Sequence, residues 1–462
     1  MPVPPAASWI SAPVPSLAGT ATVPGDAGIA VRALVLAALA VGASDVEGVP
    51  TGTDPVIQAL RTLGARLEGG GEGAWRVHGV GVGGLRQAPG LLDLGNDRLA
   101  FALLAGVLST QSGDTFLTTT GPASLFLKAA MPPLARMGAA LTAGHDGVGN
   151  ACPPLLVRGT GHAVPIDHRP LAAVTGAVKS ALLLAALNTA GTTTVVEEAA
   201  TADHTERLLR QFGADIVARH QPDGAWAVSV TGHRELRPAR VAVPGDAALA
   251  GAALVAAALR PGPGIALARV GTNEHRAGIL HLLRDMGADL AIEPLPAPGA
   301  AVGPAGGLGV GSGGGAEPMA DIRLHPLAQP LHGIEVSAGR LADARDLALA
   351  AVAGAGARGA TVLRGLPSAL ARHVPALAAA LTRCGVSVET GADHLTVHGD
   401  GQPPRGGAAV TVEADLAPAF LALGTATAQP ITVHCPAPGG GPGGVADAAG
   451  LLNALGGAVT AG

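Results

Sequence analysis

Two cationic side chains lie on otherwise apolar segments, where they could hold a negatively charged ligand. Arg32 falls within an apolar helix predicted over residues 29–40, and Lys179 precedes the apolar run at residues 180–187. Because an arginine among apolar residues requires a partner, we expect Arg32 to face a ligand in a cleft. Lys179 has two interpretations: it is an active-site cation, or its ammonium group reaches solvent past its apolar stem.

Polar residues also mark the predicted starts of two helices. Glu206 fits a capping box at the start of the helix predicted over residues 205–212, which leaves His204 as a candidate cleft residue. Asp343 and Asp346 precede an apolar helical run, where the helix dipole favours acidic groups. A structural role is therefore the default interpretation for both aspartates.

The elements that would position these residues repeat along the chain. Six glycines each follow an amphipathic helix and precede a short apolar run: Gly64, Gly138, Gly213, Gly287, Gly385 and Gly456. Successive glycines of this set lie about 74 residues apart, except that one interval is 98 residues long. This periodicity predicts six copies of a unit that runs strand, helix, strand, helix and then strands.

The repeats divide the chain into two homologous halves. The turn Pro24-Gly25-Asp26 returns as Pro244-Gly245-Asp246, each time before an apolar helix. We predict an N-terminal domain over residues 22–237 and a C-terminal domain formed by residues 1–21 and 238–462. The glycine- and proline-rich stretch 294–317 accounts for the longer interval and is predicted to be a flexible surface insertion of the C-terminal domain.

Composition excludes several classes of protein. The 462 residues are 48% hydrophobic, which supplies a sizeable core. The net charge of −5 gives no basic footprint for nucleic acid. Three unpatterned cysteines suggest neither disulfides nor a metal site. Because there is no signal peptide and no apolar run long enough for a bilayer, we expect a cytoplasmic protein without a membrane span.

Ordered motifs along nearly the whole chain resemble the enolpyruvyl transferase family, and within it the branch that uses shikimate 3-phosphate. The motifs that carry this resemblance are Val23-Pro24-Gly25-Asp26, Leu92-Asp93-Leu94-Gly95-Asn96, Val178-Lys179-Ser180-Ala181, Asp203-His204-Thr205-Glu206, Val243-Pro244-Gly245-Asp246, Met286-Gly287-Ala288-Asp289 and Leu331-His332-Gly333-Ile334.

The resemblance implies a fold and a reaction. The fold is an inside-out α/β barrel of two domains, each with three βαβαββ-type repeats whose helices lie inside and whose sheets lie outside. The active site is a cleft between the domains. The family transfers the carboxyvinyl group of phosphoenolpyruvate to a hydroxyl of shikimate 3-phosphate and releases phosphate, without a metal or an organic cofactor. We expect a monomer with a small-molecule substrate, and leave open whether phosphoenolpyruvate binds.

The resemblance, together with charged residues close to its motifs, gives the candidate site residues. The substrate-binding candidates are Arg32, Asn96, Arg98, Lys128, Thr175, Thr201 and His204, and the catalytic candidates are Asp346, Asp343 and Lys179. Several family positions have changed. Ala27-Gly28 stands in place of Lys-Ser, Arg345 stands in place of the catalytic aspartate, and residues 367–373 lack the catalytic lysine and glutamate.

Three functional hypotheses follow from these changes. The first is a diverged carboxyvinyl transferase that acts on a small hydroxylated, less anionic substrate. The second is an inactive paralogue that binds a small molecule or a partner. The third is the family's reaction on shikimate 3-phosphate, which requires more cations than this chain retains and is therefore placed last.

Overall fold

The computed structural model describes residues 7–169, 175–198, 200–260, 262–296, 315–436 and 444–462. The chain forms two compact units. One contains Asp26–Val243, and the other contains Met1–Gly25 and Pro318–Gly462 together with the segment that begins at Pro244. Most of the insertion predicted over residues 294–317 lies outside the described residues. Its described end, residues 315–317, belongs to the first unit rather than to the second.

The unit Asp26–Val243 contains three four-stranded sheets, each with two helices. The first consists of β3 (Val41–Glu47), β4 (Arg66–Gly69), β5 (Trp75–Val80) and β14 (Arg240–Ala242), with α1 (Ala27–Leu39) and α2 (Asp54–Thr62). The second consists of β6 (Leu91–Asp93), β7 (Gly113–Thr118), β8 (Ala140–His145) and β9 (Ala151–Gly159), with α3 (Arg98–Leu108) and α4 (Ser124–Arg136). The third consists of β10 (Asp167–His168), β11 (Thr192–Glu197), β12 (Asp215–His220) and β13 (Trp226–Thr231), with α5 (Thr175–Leu187) and α6 (His204–Gln211).

The other unit repeats this plan. Its first sheet consists of β2 (Gly19–Thr22), β15 (Ile265–Gly271), β16 (Leu290–Pro294) and β17 (Met319–Leu324), with α7 (Ala247–Leu259) and α8 (Gly278–Asp285). The second consists of β18 (Glu335–Ser337), β19 (Arg358–Arg364), β20 (Ser387–Thr390) and β21 (Leu395–Asp400), with α9 (Ala344–Ala355), α10 (Ser368–Ala371) and α11 (Val374–Arg383). The third consists of β1 (Ala7–Ala12), β22 (Ala409–Thr411), β23 (Ile431–Cys435) and β24 (Ala458–Ala461), with α12 (Ala417–Ala426) and α13 (Val445–Ala454).

All six sheets share one strand pattern. In each sheet, a short strand at one edge runs parallel to its neighbour. The other neighbouring strands of each sheet pair antiparallel. The strand that precedes the first helix of each unit belongs to a sheet of the other unit. β2 precedes α1 in sequence but pairs with β15, whereas β14 precedes α7 but pairs with β3. The repeats predict that residues 240–242 belong to the C-terminal domain, whereas this pairing places them in a sheet of the first unit.

Long apolar helices form the interior of each unit. α7 is buried along nearly its whole length and packs against α9 and α12, while α3 packs against α1 and α5. The sheets cover these helices with one face, and their strands alternate between buried and more accessible residues, as in β11 and β23. The predicted α/β fold with helices inside and sheets outside is therefore confirmed. None of the helices in the described ranges is long and apolar enough to span a membrane.

The six periodic glycines each end a helix in the left-handed region. Their φ angles are 106° at Gly64, 113° at Gly138, 77° at Gly213, 97° at Gly287, 86° at Gly385 and 90° at Gly456. Glycine adopts this conformation without the steric cost that a Cβ atom adds, so it is the preferred residue just past a helix end. The signal that predicted the repeats therefore has a direct physical cause.

Candidate active site

Arg32 lies in the unit Asp26–Val243, where α1 and α5 meet the first turn of α6. Its Nε donates a hydrogen bond to Thr205 Oγ1 on α6 at 2.8 Å, and its Nη1 donates to the carbonyl oxygen of Gly28 at 3.0 Å. Its Nη2 lies 3.5 Å from Ser180 Oγ on α5. The guanidinium is half-buried. These contacts fix its orientation at the amino-terminal ends of helices, where backbone dipoles also favour anions.

A second group of polar residues begins α3. Asp97 caps this helix by accepting a hydrogen bond from Ala100 N at 2.8 Å. Burial raises the pKa of Asp97, although backbone hydrogen bonds and the positive charges of Arg32 and Arg98 favour its ionised form. Asn96 and Arg98 are exposed. Two arginines therefore act on one half-buried aspartate in this region.

Lys179 is fully buried, which neither sequence interpretation anticipates. Its Nζ lies 3.1 Å from Glu197 Oε2 and 2.7 Å from Glu206 Oε1, and all three side chains are almost completely inaccessible. A ligand in solvent does not reach this ammonium group in the structure. The assignment of Lys179 as a catalytic residue stays a prediction, and the structure gives it an internal ion pair. Glu206 binds this lysine, a contact that the predicted capping box does not include.

The remaining candidates of this unit differ in exposure. Lys128 is exposed on α4, and Thr201 is half-buried in the loop before α6. His204 is buried, and its Nδ1 lies 2.9 Å from Glu317 Oε1. Thr175 is the first residue of α5, and its side chain lies outside the described residues. Arg32 therefore contacts both α5 and α6, and Thr201 lies in the loop that leads into α6. Lys128 lies on a different helix, α4.

In the other unit, aspartates and arginines alternate around the first turns of α7 and α9. Asp246 caps α7, accepts hydrogen bonds from Ala248 N and Leu249 N, and binds Arg345 Nη1 at 2.8 Å. Asp343 caps α9 and binds Arg345 and also Arg276, the latter at 2.7 Å. The arginine in the place of the family's catalytic aspartate is thus held by two acids.

Asp346 is buried beside this cluster. Its Oδ2 accepts a hydrogen bond from Ala342 N at 2.9 Å. Burial, together with the negative charge of Asp343, raises the pKa of Asp346 to about 6. Burial also opposes ionisation of Asp343, but the ion pairs with Arg345 and Arg276 outweigh it and hold the pKa of Asp343 well below its usual range. Neighbouring carboxyls with widely separated pKa values can take different acid and base roles.

Sequence reasoning missed two partners in this cluster. Arg276 lies in a stretch, Glu274-His275-Arg276, whose charges predict an exposed segment, yet it binds Asp343. Asp246 lies in a turn that the sequence places before an apolar helix, but its ion pair joins it to a residue 99 positions away. No local pattern signals a contact at that separation. The repeated turns Pro24-Gly25-Asp26 and Pro244-Gly245-Asp246 are the sequence signal that places an aspartate at the start of an apolar helix in each half.

Six α/β repeats in two units, with charged residues on the first turns of buried helices, define the class of two-domain enolpyruvyl transferases. The chain belongs to the EPSP synthase family. The family model described as EPSP synthase (3-phosphoshikimate 1-carboxyvinyltransferase) matches residues 12–436.

Individual relatives agree with this assignment. The chain is 40% identical over 432 residues to a 3-phosphoshikimate 1-carboxyvinyltransferase of Rhodospirillum rubrum, with 90% of each chain covered. It is 41% identical over 422 residues to the enzyme of that name from Granulibacter bethesdensis, with 89% of this chain and 87% of the relative covered.

Solved structures have the same fold. The EPSP synthase of Acinetobacter baumannii matches with a TM-score of 0.81 and 28% identity, over 99% of this chain and 100% of that one. The enolpyruvyl transferase NikO from Streptomyces tendae matches with a TM-score of 0.69 and 19% identity over 99% of both chains, a likeness of fold alone.

Proposed function

We propose that this protein is a carboxyvinyl transferase whose acceptor is a small hydroxylated molecule with less negative charge than shikimate 3-phosphate. The observation that carries this proposal is the fixed guanidinium of Arg32 at the meeting point of α1, α5 and α6. Such a group holds a carboxylate or a phosphate of a ligand through charge-assisted hydrogen bonds.

The balance of charge supports the less anionic acceptor. Arg345 and Arg276 lie against aspartates of their own unit, and Lys179 lies against two glutamates. Cations that already bind internal acids offer less attraction to a ligand with several negative charges. Arg32 and Arg98 both act on the half-buried acid Asp97. An arrangement of this kind suits one anionic group better than two phosphorylated substrates at once.

Asp346 is the proposed proton acceptor of the reaction. Transfer of a carboxyvinyl group to a hydroxyl oxygen releases the hydroxyl proton, and a general base works best when its pKa lies near the working pH. The raised pKa of Asp346, about 6, meets that requirement. Asp343 remains ionised through its arginine partners and keeps the neighbouring charge constant.

The second candidate function is the 3-phosphoshikimate 1-carboxyvinyltransferase reaction itself. It is favoured by the curated relatives, which carry that name at about 40% identity over nine tenths of both chains. The comparisons therefore support the hypothesis that sequence analysis placed last. The two candidates differ in the acceptor, so one experiment compares them directly.

The experiment measures phosphate release from phosphoenolpyruvate with a panel of acceptors. The panel pairs shikimate with shikimate 3-phosphate, and adds other ring hydroxy acids that carry one negative charge. We expect release with a singly charged acceptor. Release only with shikimate 3-phosphate would establish the second candidate instead. Binding without release from any acceptor would contradict both and indicate an inactive paralogue.

Arg32→Gln tests the anchor within the same assay. We expect the variant to weaken acceptor binding by about 2 kcal/mol, roughly 30-fold, because the amide cannot offer a charged pair of donors. Arg219→Gln is the matched control, since Arg219 is exposed on β12. Calorimetric titration of both variants measures the affinities. If the wild type and Arg32→Gln bind the acceptor with equal affinity, Arg32 does not contact the ligand.

A further inference from the structure

A buried ion pair in the third repeat connects to one short loop. Lys179 on α5 and Glu197 at the end of β11 are both fully buried, with Nζ and Oε2 3.1 Å apart. Burying an ammonium group without partners costs several kcal/mol of folding free energy. The contacts of Lys179 and Glu197 must therefore offset this cost. Those contacts show what the pair stabilises.

Besides the contact of Lys179 with Glu206, further hydrogen bonds of the pair go to two consecutive loop residues. Lys179 Nζ donates to the carbonyl oxygens of Ala202 at 3.3 Å and Thr201 at 3.5 Å. Glu197 Oε1 accepts from Thr201 Oγ1 at 2.6 Å, and its Oε2 accepts from Thr201 N at 3.4 Å. The buried pair thus binds two carbonyl oxygens of the loop through Lys179, and an N–H and a hydroxyl of the loop through Glu197.

This loop leads directly into the first turn of α6. His204 begins that helix, and Thr205 follows it with its Oγ1 against Arg32 Nε. The position of the loop therefore sets the position of the hydroxyl that orients the guanidinium. Glu206, one residue further, lies 2.7 Å from the same lysine, and in the described part of the chain no hydrogen bond joins its carboxylate to the loop.

We propose that Lys179 and Glu197 are positioning residues that fix the loop 200–203 and, through Thr205, the anion anchor Arg32. The inference deepens the proposed function and rests on it for the role of Arg32. Neither side chain touches the ligand. Burial raises the pKa of Glu206 despite the attraction of Lys179, and Glu206 is the second acid beside this lysine.

The two glutamates provide a matched pair of variants. Glutamine keeps one acceptor oxygen and presents an NH₂ group at the other position. The amide of the Glu197→Gln variant has an acceptor at only one of the two oxygen positions, so either Lys179 Nζ or the Thr201 hydroxyl loses its acceptor. The amide of Glu206→Gln can still accept its single hydrogen bond from Lys179. Both substitutions remove one negative charge beside the same lysine, so a general electrostatic effect would appear in both variants.

Hydrogen exchange of the full-length protein tests the positioning role without any ligand. We expect Glu197→Gln to speed exchange of the amides in residues 200–205 at least tenfold, and Glu206→Gln to change it less than twofold. Thr201→Val should reproduce the effect of Glu197→Gln, and Thr201→Ser should not, because serine keeps the hydroxyl. Equal acceleration in both glutamate variants, or in neither, would overturn the proposal, as would equal behaviour of Thr201→Val and Thr201→Ser.

Binding of phosphoenolpyruvate separates this inference from the proposed function. If the wild-type protein binds it, we expect Glu197→Gln to weaken the affinity at least fivefold and Glu206→Gln to leave it within twofold. The reverse order would contradict the link from the loop to Arg32. If the wild-type protein binds neither phosphoenolpyruvate nor any acceptor, the proposed function fails, and the exchange experiment still decides whether the ion pair fixes the loop.

Discussion

Asp346 shows how the environment of a single residue sets its chemistry. The carboxyl is buried next to the ionised Asp343, and its pKa rises to about 6. The folded protein therefore binds the proton of Asp346 more tightly than the unfolded chain, whose aspartates have a pKa near 3.9. Stability attributable to this proton is complete below about pH 4 and is lost as the pH rises through about 6.

The first prediction is that Asp346→Asn changes stability in a pH-dependent way. Asparagine keeps an oxygen for Ala342 N but does not ionise, so the variant should gain about 3 kcal/mol relative to wild type between about pH 4 and pH 7.5. Urea unfolding at both pH values measures the difference. A difference in unfolding free energy that is the same at the two pH values would show that the Asp346 pKa is not raised.

At the scale of elements, close contact between the last strand of a repeat and its first helix recurs. Cβ atoms at Gly79, Gly159, Gly232 and Gly399 would each overlap with carbonyl oxygens at the end of the helix of the same repeat. For Gly79 these are the oxygens of Ala37 and Ala40, at the end of α1. Only glycine permits this approach of backbone to backbone.

The second prediction concerns Gly79→Ala. The added methyl group should push β5 away from α1 and reduce the unfolding free energy by about 3 kcal/mol. Gly90→Ala is the control, because a Cβ atom there meets nothing within 4 Å. Thermal and urea unfolding of the two variants give the comparison. If the two variants are equally stable, the close packing of β5 on α1 does not contribute as described.

At the scale of the whole molecule, the exchange of opening strands determines where the chain can be divided. β14 completes the sheet of β3, and Val241 and Val243 are buried in the core of the first unit. A fragment that ends before β14 therefore lacks the neighbour of β3 and two buried valines, whereas one that ends at residue 243 keeps its three sheets complete.

The third prediction compares fragments 26–243 and 26–237. We expect the shorter one to be less stable by about 3 kcal/mol, the amount that burial of two valines supplies. Glu317, the partner of His204, is absent from both fragments and cancels in the comparison. Urea unfolding followed by circular dichroism measures the difference. Equal stability would mean that β14 is not an integral part of this unit.

Local patterns in the sequence were sufficient for the repeats but not for the site. Glycines such as Gly64 and Gly213 end helices in a conformation that other residues avoid, so their spacing predicts six units, and the family resemblance implies the fold that these units form. The contacts of Lys179 with Glu197 and of Arg345 with Asp246 join separate elements, and only the folded chain brings them together. A buried lysine and an active-site lysine have the same local sequence, which is why the sequence alone suggests a catalytic role for Lys179.

The most direct test of the account is the initial rate of phosphate release from phosphoenolpyruvate with shikimate 3-phosphate, relative to the rate with shikimate. The charged residues described above already bind one another, so we predict a rate with the phosphorylated acceptor that is no higher than the rate with shikimate. Turnover of shikimate 3-phosphate on the order of 10 per second, with shikimate unreacted, would contradict the account and give the protein the function of its relatives.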